Sequence, residues 1–477
     1  MLAAGAGTRM KSDLAKVLHP ILGRPLLGHV LASVLETDPE NVVVVVGHQR
    51  DQVVDYLARD FPTVRTADQS EQNGTGHAVR CAIEGLAADD IELPAAPVVV
   101  LAGDTPLLRS ATLSDLVGTH SQTHASVTVL SAELPDPFGY GRIVRDSDGG
   151  VLAIVEQKDA TAEQTQIHEI NSGMFAFNPQ TLVDGLARLT TDNSQGEEYL
   201  TDVLAIARHD GRAVSAHKAA DPDEVHGINN RAQLAAATAL LRDRINADHM
   251  LAGVTIVDPQ TAWIEPGASL TADAVIERNT SVDATSAVGA GAVIGPDTTL
   301  LGTTVEASAH VLRSHCDHAV IRAGATVGPF SFLRPGTDLG PDGKIGAFVE
   351  VKKSTIGAGS KVPHLSYVGD AEIGEGSNIG AATIFANYDG EHKHATSVGD
   401  HVRVGSDSIL VAPVKVGDGA YTAAGSVITQ DVPAGAIGIG RERQVNVEGW
   451  VARRHPGTAS AQAAAAAEAE ESQGADD

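Results

Sequence analysis

Trp263-Ile264-Glu-Pro-Gly-Ala-Ser-Leu270-Thr-Ala-Asp-Ala-Val-Ile276-Glu-Arg-Asn-Thr-Ser-Val282 places an aliphatic residue at every sixth position. No helix has that period. The same step continues through Val288, Ile294 and Leu300, and returns at Ile321, Val327, Leu333, Leu339, Ile345 and Val351. It resumes at Ile356, Val362 and Val368, and lastly at Val398, Val404, Leu410, Val416, Thr422 and Ile428, with the interruptions read as loops. A hexapeptide period predicts a parallel β-helix, in which each aliphatic side chain points inward and stacks on its equivalents about 4.8 Å away in the next coil.

Working outward from that segment, Asn229 to about Leu251 carries alanine, leucine and charged residues at helical spacing, which predicts a connecting helix over 229–251. Ahead of it, short apolar runs such as Val42–Val46, Val98–Leu101 and Val127–Leu130 alternate with amphipathic stretches over residues 1–228, the pattern of an α/β sheet covered by helices. The coils are expected over 252–456. From 457 to 477 the chain is alanine and acid with almost no larger apolar side chain, including Asp476 and Asp477, and is expected to be disordered.

Composition narrows the function. The 477 residues exceed the usual size of a single core, so two domains are expected. A formal charge of −27 disfavours nucleic acid and anionic membranes as partners, so any phosphate site must be built locally. Only 3% of the residues are aromatic while 49 are glycine, which suits a repetitive β architecture of small residues. The two cysteines, Cys81 and Cys316, have neither metal-ligand spacing nor a disulfide framework, and a reducing cytoplasm is the expected compartment. No run is long enough to span a membrane.

The residues that carry chemistry fall into two groups. Near the start, Gly5-Ala-Gly7-Thr-Arg9 followed by Lys16 combines a backbone able to approach phosphates closely with two cations for phosphoryl transfer. Asp104 ends an apolar strand and is either a Mg²⁺ ligand or a turn residue; Asn229 is either a second hard oxygen ligand or a helix N-cap. In the coils, His364 has the pKa suited to taking a proton from an attacking amine, and it lies among Arg334, Lys352, Tyr367, Asn378, Asn387 and Tyr388.

Leu2-Ala3-Ala4-Gly5-x-Gly7-Thr8-Arg9-Met10 with Lys16, Gln69 to His77 containing Gly74-Thr75-Gly76, Gly139 to Arg142, Ile154 to Ala160 and Asn171-Ser-Gly173 resemble the bifunctional N-acetylglucosamine-1-phosphate uridyltransferase/glucosamine-1-phosphate acetyltransferase family, across the chain to about Pro456. The resemblance implies a Rossmann-like α/β nucleotide-diphospho-sugar transferase domain with a mixed sheet, then a left-handed parallel β-helix. It implies acetylation of glucosamine-1-phosphate by acetyl-CoA and uridylyl transfer from UTP, giving UDP-N-acetylglucosamine for cell-wall precursors. By motif, Leu2, Ala3, Ala4, Gly5, Gln69, Gly74, Thr75, Ala102 and Gly103 would hold the uridine nucleotide, and Gly141, Glu156 and Asn171 the sugar. Asp104 and Asn229 would ligate Mg²⁺, with Arg9 and Lys16 on the phosphates. Arg334, Lys352, Tyr367 and Asn378 would hold glucosamine-1-phosphate, with His364 as the base. Ala381, Asn387, Tyr388, Ser406, Ala424 and Arg441 would line acetyl-CoA, in a homotrimer whose acetyl sites lie between chains.

Two departures stand out. Relatives carry proline where Ala15 precedes Lys16, and a strand ahead of Leu-Ala-Ala-Gly, where this sequence has only Met1. The expectation is that a phosphate loop without that strand binds UTP weakly, and that several apolar residues belong upstream of Leu2.

Overall fold

The computed structural model describes residues 1–474. The chain forms two compact units, Met1–His318 and Ala319 onward, so the first hexapeptide coils group with the α/β part.

The first unit opens with a partly buried loop, then alternates helices and strands: α1 (Leu26–Leu35), β1 (Val43–Val46), α2 (Arg50–Asp60), β2 (Arg65–Asp68), α3 (Thr75–Ala88), β3 (Val98–Val100) and α4 (Ser110–Gln122). The antiparallel strands β4 (Val127–Glu133), β5 (Gly141–Arg145), β6 (Val151–Val155) and β7 (Glu169–Phe177) follow. After them come α5 (Pro179–Leu186), α6 (Asp202–His209), β8 (Val214–Lys218) and α7 (Arg231–Leu251). The sheet is mixed, as expected: β8 is parallel to β4, while β4, β3 and β5 each pair antiparallel with β7, and β6 with β5. β1 and β2 form a separate parallel pair. Leu2 alone bridges the two sheets, in parallel with Val45 on one side and Ala102 on the other.

Helix α7 begins at Arg231, two residues after the predicted start, capped by Asn230, whose side chain accepts from Gln233 N. Its far end explains why the first coils belong to this unit. Asn246, fully buried, donates to Pro259 O at 2.8 Å and Ala262 O at 3.1 Å, and Arg242 lies 5.1 Å from the Trp263 ring.

The coils of this unit stack in three parallel columns, for example Ile264 on Val282 and Val282 on Leu300. The second unit repeats the arrangement from Val320 to Gly438, with Leu333 beside Val351 and Val351 beside Val368. Every hexapeptide residue read from the sequence is buried except Leu270, in the first turns of the stack, which is half-buried. The stretches read as interruptions contain further coils. Five-residue steps that end at Val305, Cys316, Ile321 and Ile373 break the period while keeping the inward position, steps of six then carry it on to Val311, Ile379 and Phe385, and all of these side chains are buried.

The tail departs from expectation. Ala459–Gly474, where disorder was expected, is an α-helix, and a short helix at Trp450–Arg454 precedes it where coils were expected; alanine has the highest helix propensity, and in the tail that outweighs the lack of a core to pack on. Residues 475–477, with Asp476 and Asp477, lie outside the described part.

Candidate functional sites

In the first unit the segment Leu2–Lys16 crosses the carboxyl ends of β1 and β3. Leu2 N donates to Leu101 O and Ala3 N to Val45 O, while Gly103 N returns a bond to Leu2 O at 2.9 Å, so Ala102 and Gly103 lie against Leu2–Ala4. The loop is held from the other side by Gln72, which donates to Ala4 O at 2.9 Å. Gly7 adopts φ 58°, and a Cβ there would sit 2.6 Å from Lys16 Cβ, so glycine lets the loop fold onto the lysine. Gln69, buried, donates to Gly74 O at 3.0 Å, and Thr75 Oγ1 accepts from Leu200 N.

Lys16 Nζ pairs with the Asp104 carboxylate and donates to Asn229 Oδ1 at 3.3 Å. Both alternatives left open by the sequence are thereby narrowed: the cap of α7 is Asn230, which frees the Asn229 side chain, and the Asp104 carboxylate faces a cation rather than its own turn. Two hard oxygen donors converge on one cationic position, which is the donor chemistry Mg²⁺ takes, with water and phosphates completing its shell. Arg9 is exposed and hydrogen-bonded to none of these groups among the described residues. Tyr140, which the sequence singled out only within a motif, has its phenol pushed upward by burial and by the Asp104 charge.

A second cluster lies across β5 and β7. Gly141 stands opposite Asn171, and a Cβ on Gly141 would come 3.2 Å from a Glu156 carboxylate oxygen. Burial, then the charges of Asp159 and Asp202, raise the Glu156 pKa.

In the second unit three cations gather. Lys352 lies within hydrogen-bonding reach of Lys393, the chief cause of its lowered pKa; desolvation and the charges of Lys393 and Arg334 follow, with Asp370 opposing. Arg334 bonds Glu350 at 2.8 Å. Beside them Asn387, buried, donates to Asp370 at 2.5 Å and to Tyr367 Oη at 3.4 Å. Gly369 makes room for both, since a Cβ there would collide with the Tyr367 hydroxyl and the Asn387 amide. Lys393 and Gly369 were missed in the sequence. Lys393 falls in the loop that interrupts the period, and Gly369 is one of many glycines.

One edge of the coils runs from His364 onward. His364 O accepts from Ala382 N, Ala381 O from Asp407 N and Ser406 O from Gly425 N, so His364, Ala381, Ser406 and Ala424 lie at successive turns of that edge. The Arg441 side chain comes within 3.7 Å of the place a Gly425 Cβ would take. His364 and Tyr388 are exposed. Asn378 lies on the adjoining face between Lys361 and Arg403 and makes no side-chain hydrogen bond among the described residues, so the structure does not bring it to the Arg334–Lys352 group.

The fold and these sites define an NTP transferase domain joined to a hexapeptide-repeat acyltransferase. Residues 1–195 match the MobA-like NTP transferase domain, and 395–430 match the bacterial transferase hexapeptide. The chain is 56% identical to the bifunctional protein GlmU of Streptomyces avermitilis over 97% of this chain and 96% of that one. It is 54% identical to the GlmU proteins of Corynebacterium glutamicum and Kineococcus radiotolerans, over 98% and 97% of this chain and 96% and 94% of theirs. The chain belongs to the GlmU family of bifunctional enzymes, with the uridylyltransferase and acetyltransferase activities of UDP-N-acetylglucosamine synthesis.

Proposed function

We propose that the two activities are divided between the Lys16–Asp104–Asn229 centre and the His364 edge. The observation that carries this reading is the Lys352–Lys393–Arg334 cluster, a local cationic site on a chain of formal charge −27. Such a cluster suits the phosphate of glucosamine-1-phosphate.

In the first centre Leu2, Ala3, Ala4, Gly5, Gln69, Gly74, Thr75, Ala102 and Gly103 frame UTP, and Gly141, Glu156 and Asn171 hold N-acetylglucosamine-1-phosphate. Asp104 and Asn229 would hold Mg²⁺, which would supply neutralisation of the triphosphate charge, and Lys16 and Arg9 supply further positive charge. A phosphate oxygen of the sugar attacks the α-phosphorus and diphosphate leaves. The nucleophile is already an anion, so positioning and neutralisation suffice and no base is needed.

In the second centre Arg334, Lys352 and Tyr367 hold the sugar phosphate. His364 takes a proton from the amine, the nitrogen attacks the thioester carbonyl, and coenzyme A leaves as its thiol. Ala381, Asn387, Tyr388, Ser406, Ala424 and Arg441 line acetyl-CoA; the small residues of the edge let a pantetheine arm lie along it. Asn378 serves the site of a neighbouring chain in a homotrimer, which accounts for its distance from the cation cluster. The enzyme works in the cytoplasm, and no helix among the described residues is long and apolar enough to cross a membrane.

The test is to assay the two reactions separately. Asp104→Ala is expected to lower uridylyl transfer by roughly 10²-fold or more and spare acetyl transfer; His364→Ala is expected to lower acetyl transfer by about 10²-fold and spare uridylyl transfer. Loss of both reactions from either substitution in a folded protein would refute the division.

A further inference from the structure

A cleft of about 690 Å³ lies in the first unit, between the end of α2, a short antiparallel hairpin at residues 20–25 and the first coils. Its lining is mostly apolar: Leu14 and Leu18 from the segment that carries Lys16, Leu22 of the hairpin, Phe61 after α2, and Pro266 and Ala284 of two successive coils. Gly23 seats the hairpin on those coils, because at its φ of 73° a Cβ would collide with the Glu265 carboxylate. The volume lies within the range of small-molecule sites, roughly 300–1,000 Å³, which combine apolar walls with a few polar groups that fix orientation.

The polar groups of the cleft are unevenly committed. Arg59 is spent on Asp60, at 2.8 Å, and lies 5.8 Å from the Tyr56 ring. Arg24 is half-buried, and among the described residues its guanidinium has neither a hydrogen bond nor an ion pair. Tyr56 is only 7% exposed, and its hydroxyl also has no hydrogen-bond partner among the described residues. The two donors are neighbours: a Cβ on Gly28 would collide with the Tyr56 hydroxyl and meet Arg24 Cγ at 3.0 Å. Burial, then the Asp60 charge, pushes the phenol up to about 12, with Arg24 and Arg59 opposing, so it stays a neutral donor. Leaving such donors without acceptors is costly, and a guanidinium fork beside a hydroxyl matches the two oxygens of a carboxylate. Glu265, whose carboxylate accepts from Ala284 N at 3.0 Å, keeps a negative charge beside the hairpin and disfavours a doubly charged ligand.

We infer that this cleft is a regulatory site for a small organic monoanion, a carboxylate on a ring-sized apolar body, whose binding favours uridylyl transfer. The carboxylate accepts from Arg24 and the Tyr56 hydroxyl, and the body covers Leu14, which is otherwise 38% exposed. Leu14 and Leu18 flank Lys16, and Tyr56 stands one turn of α2 beyond Gln52, whose side chain accepts from Ala15 N at 2.9 Å. A ligand in the cleft therefore packs on α2 and on the Lys16 segment together and holds that segment in place before UTP arrives. The effect on UTP rests on the proposed role of Lys16 at the phosphates, while the binding of the anion does not.

The probes are 2-naphthoate, its neutral amide and acetate, each titrated calorimetrically against the full chain. Naphthoate is expected to bind with a Kd of about 1 mM or tighter, and the amide and acetate at least roughly 10-fold more weakly. Arg24→Gln is expected to weaken naphthoate by about 10-fold or more and Tyr56→Phe by about 3-fold, with uridylyl transfer in the absence of ligand kept within roughly twofold in both. Bound naphthoate is expected to slow amide exchange at residues 14–18 and to lower KM for UTP at least about threefold, leaving acetyl transfer unchanged. No binding to the unaltered chain, equal binding of the amide, or undiminished binding to Arg24→Gln would overturn the site. Binding that leaves KM for UTP unchanged or raises it would overturn its regulatory role. The Asp104→Ala assay separates that result from a misassigned UTP centre, in which this substitution would spare uridylyl transfer.

Discussion

In the first unit the lysine facing the phosphate loop is already neutralised, paired with Asp104 and hydrogen-bonded to Asn229. In the second, Lys352 faces Lys393 and Arg334, while the nearby Asp370 is engaged by Asn387 and Arg334 by Glu350. The first arrangement stores a cation on the oxygens that a metal would use, so binding there is an exchange. The second concentrates positive charge before the ligand arrives, so binding there relieves repulsion. On the proposed reading, a chain with an excess of acidic residues builds anion sites in two physically different ways.

Deleting one cation should separate these two designs most sharply. Lys393→Ala removes a charge-assisted contact worth about 1.5–3 kcal/mol, so KM for glucosamine-1-phosphate is expected to rise roughly 10- to 100-fold. KM for UTP should not change. A rise under twofold would show that the lysine pair does not bind the substrate.

A smaller effect is expected from glycines that fit each site together. Gly369→Ala pushes Tyr367 and Asn387 apart and is expected to cost about 10-fold in acetyl transfer, because small displacements of positioning groups are expensive. Gly7→Ala, strained by its φ of 58° and crowded by Lys16, is expected to do the same to uridylyl transfer. Either substitution affecting both reactions equally would mean that it acts through global stability.

Much of this contrast was legible before the structure. The inward stripe of the coils follows from the period of six, because burial selects aliphatic residues there, with Thr422 the polar exception. What hid the remaining coils was the occasional five-residue step, as from Leu300 to Val305, which keeps a side chain inward but breaks the count. Lys16, Asp104 and Asn229 were identified individually by residue type and position, while their convergence depends on loops whose paths no periodicity encodes. Lys393 was hidden for the same reason. The tie between α7 and the first coils was hidden because the buried Asn246 that makes it reads in sequence as an ordinary polar helix residue.

The units should also differ in acid. Burial lowers the Met1 amine from 8.0 to about 5 and His29 from 6.5 to about 4, and it lowers His19, His120 and His249 as well, all in the first unit. Each is neutral when folded and gains a proton more readily when unfolded. Its contribution is full above the unfolded pKa and is lost as the pH falls through the folded one. The first unit should therefore lose stability progressively from pH 8 toward pH 4, with Glu156 and Asp202, whose pKa values burial raises, opposing near the carboxylate range. In the second unit Asp389 is held far below its usual pKa by the backbone N–H of His392, then by His394 and Glu391 N, so its contribution fades only in stronger acid. Amide exchange measured for each unit at pH 8, 6.5 and 5 checks this, and equal loss of protection in both would contradict it.

The smallest expected effect concerns Ala15, which directly precedes Lys16. Its φ of −53° lies within the range a proline ring imposes, so the backbone would accept the substitution. Against that, Ala15 N donates to Gln52 Oε1 at 2.9 Å, a bond that proline cannot make. Gln52 is exposed, and water can replace the lost donor, which puts the loss at the low end of roughly 0.5–1.5 kcal/mol. Proline returns about 0.4–1 kcal/mol by restricting the unfolded chain. The two effects nearly cancel, so Ala15→Pro is expected to shift the melting temperature by no more than a few degrees and uridylyl transfer by less than twofold. A 10-fold fall in uridylyl transfer with unchanged stability would mean that the Gln52 bond, and not the stiffness of the turn, sets the position of Lys16 against Asp104. The stored cation of the first site would then depend on a single exposed glutamine, whereas Lys352 of the second is fixed by a coil strand and only Lys393 rides on a loop.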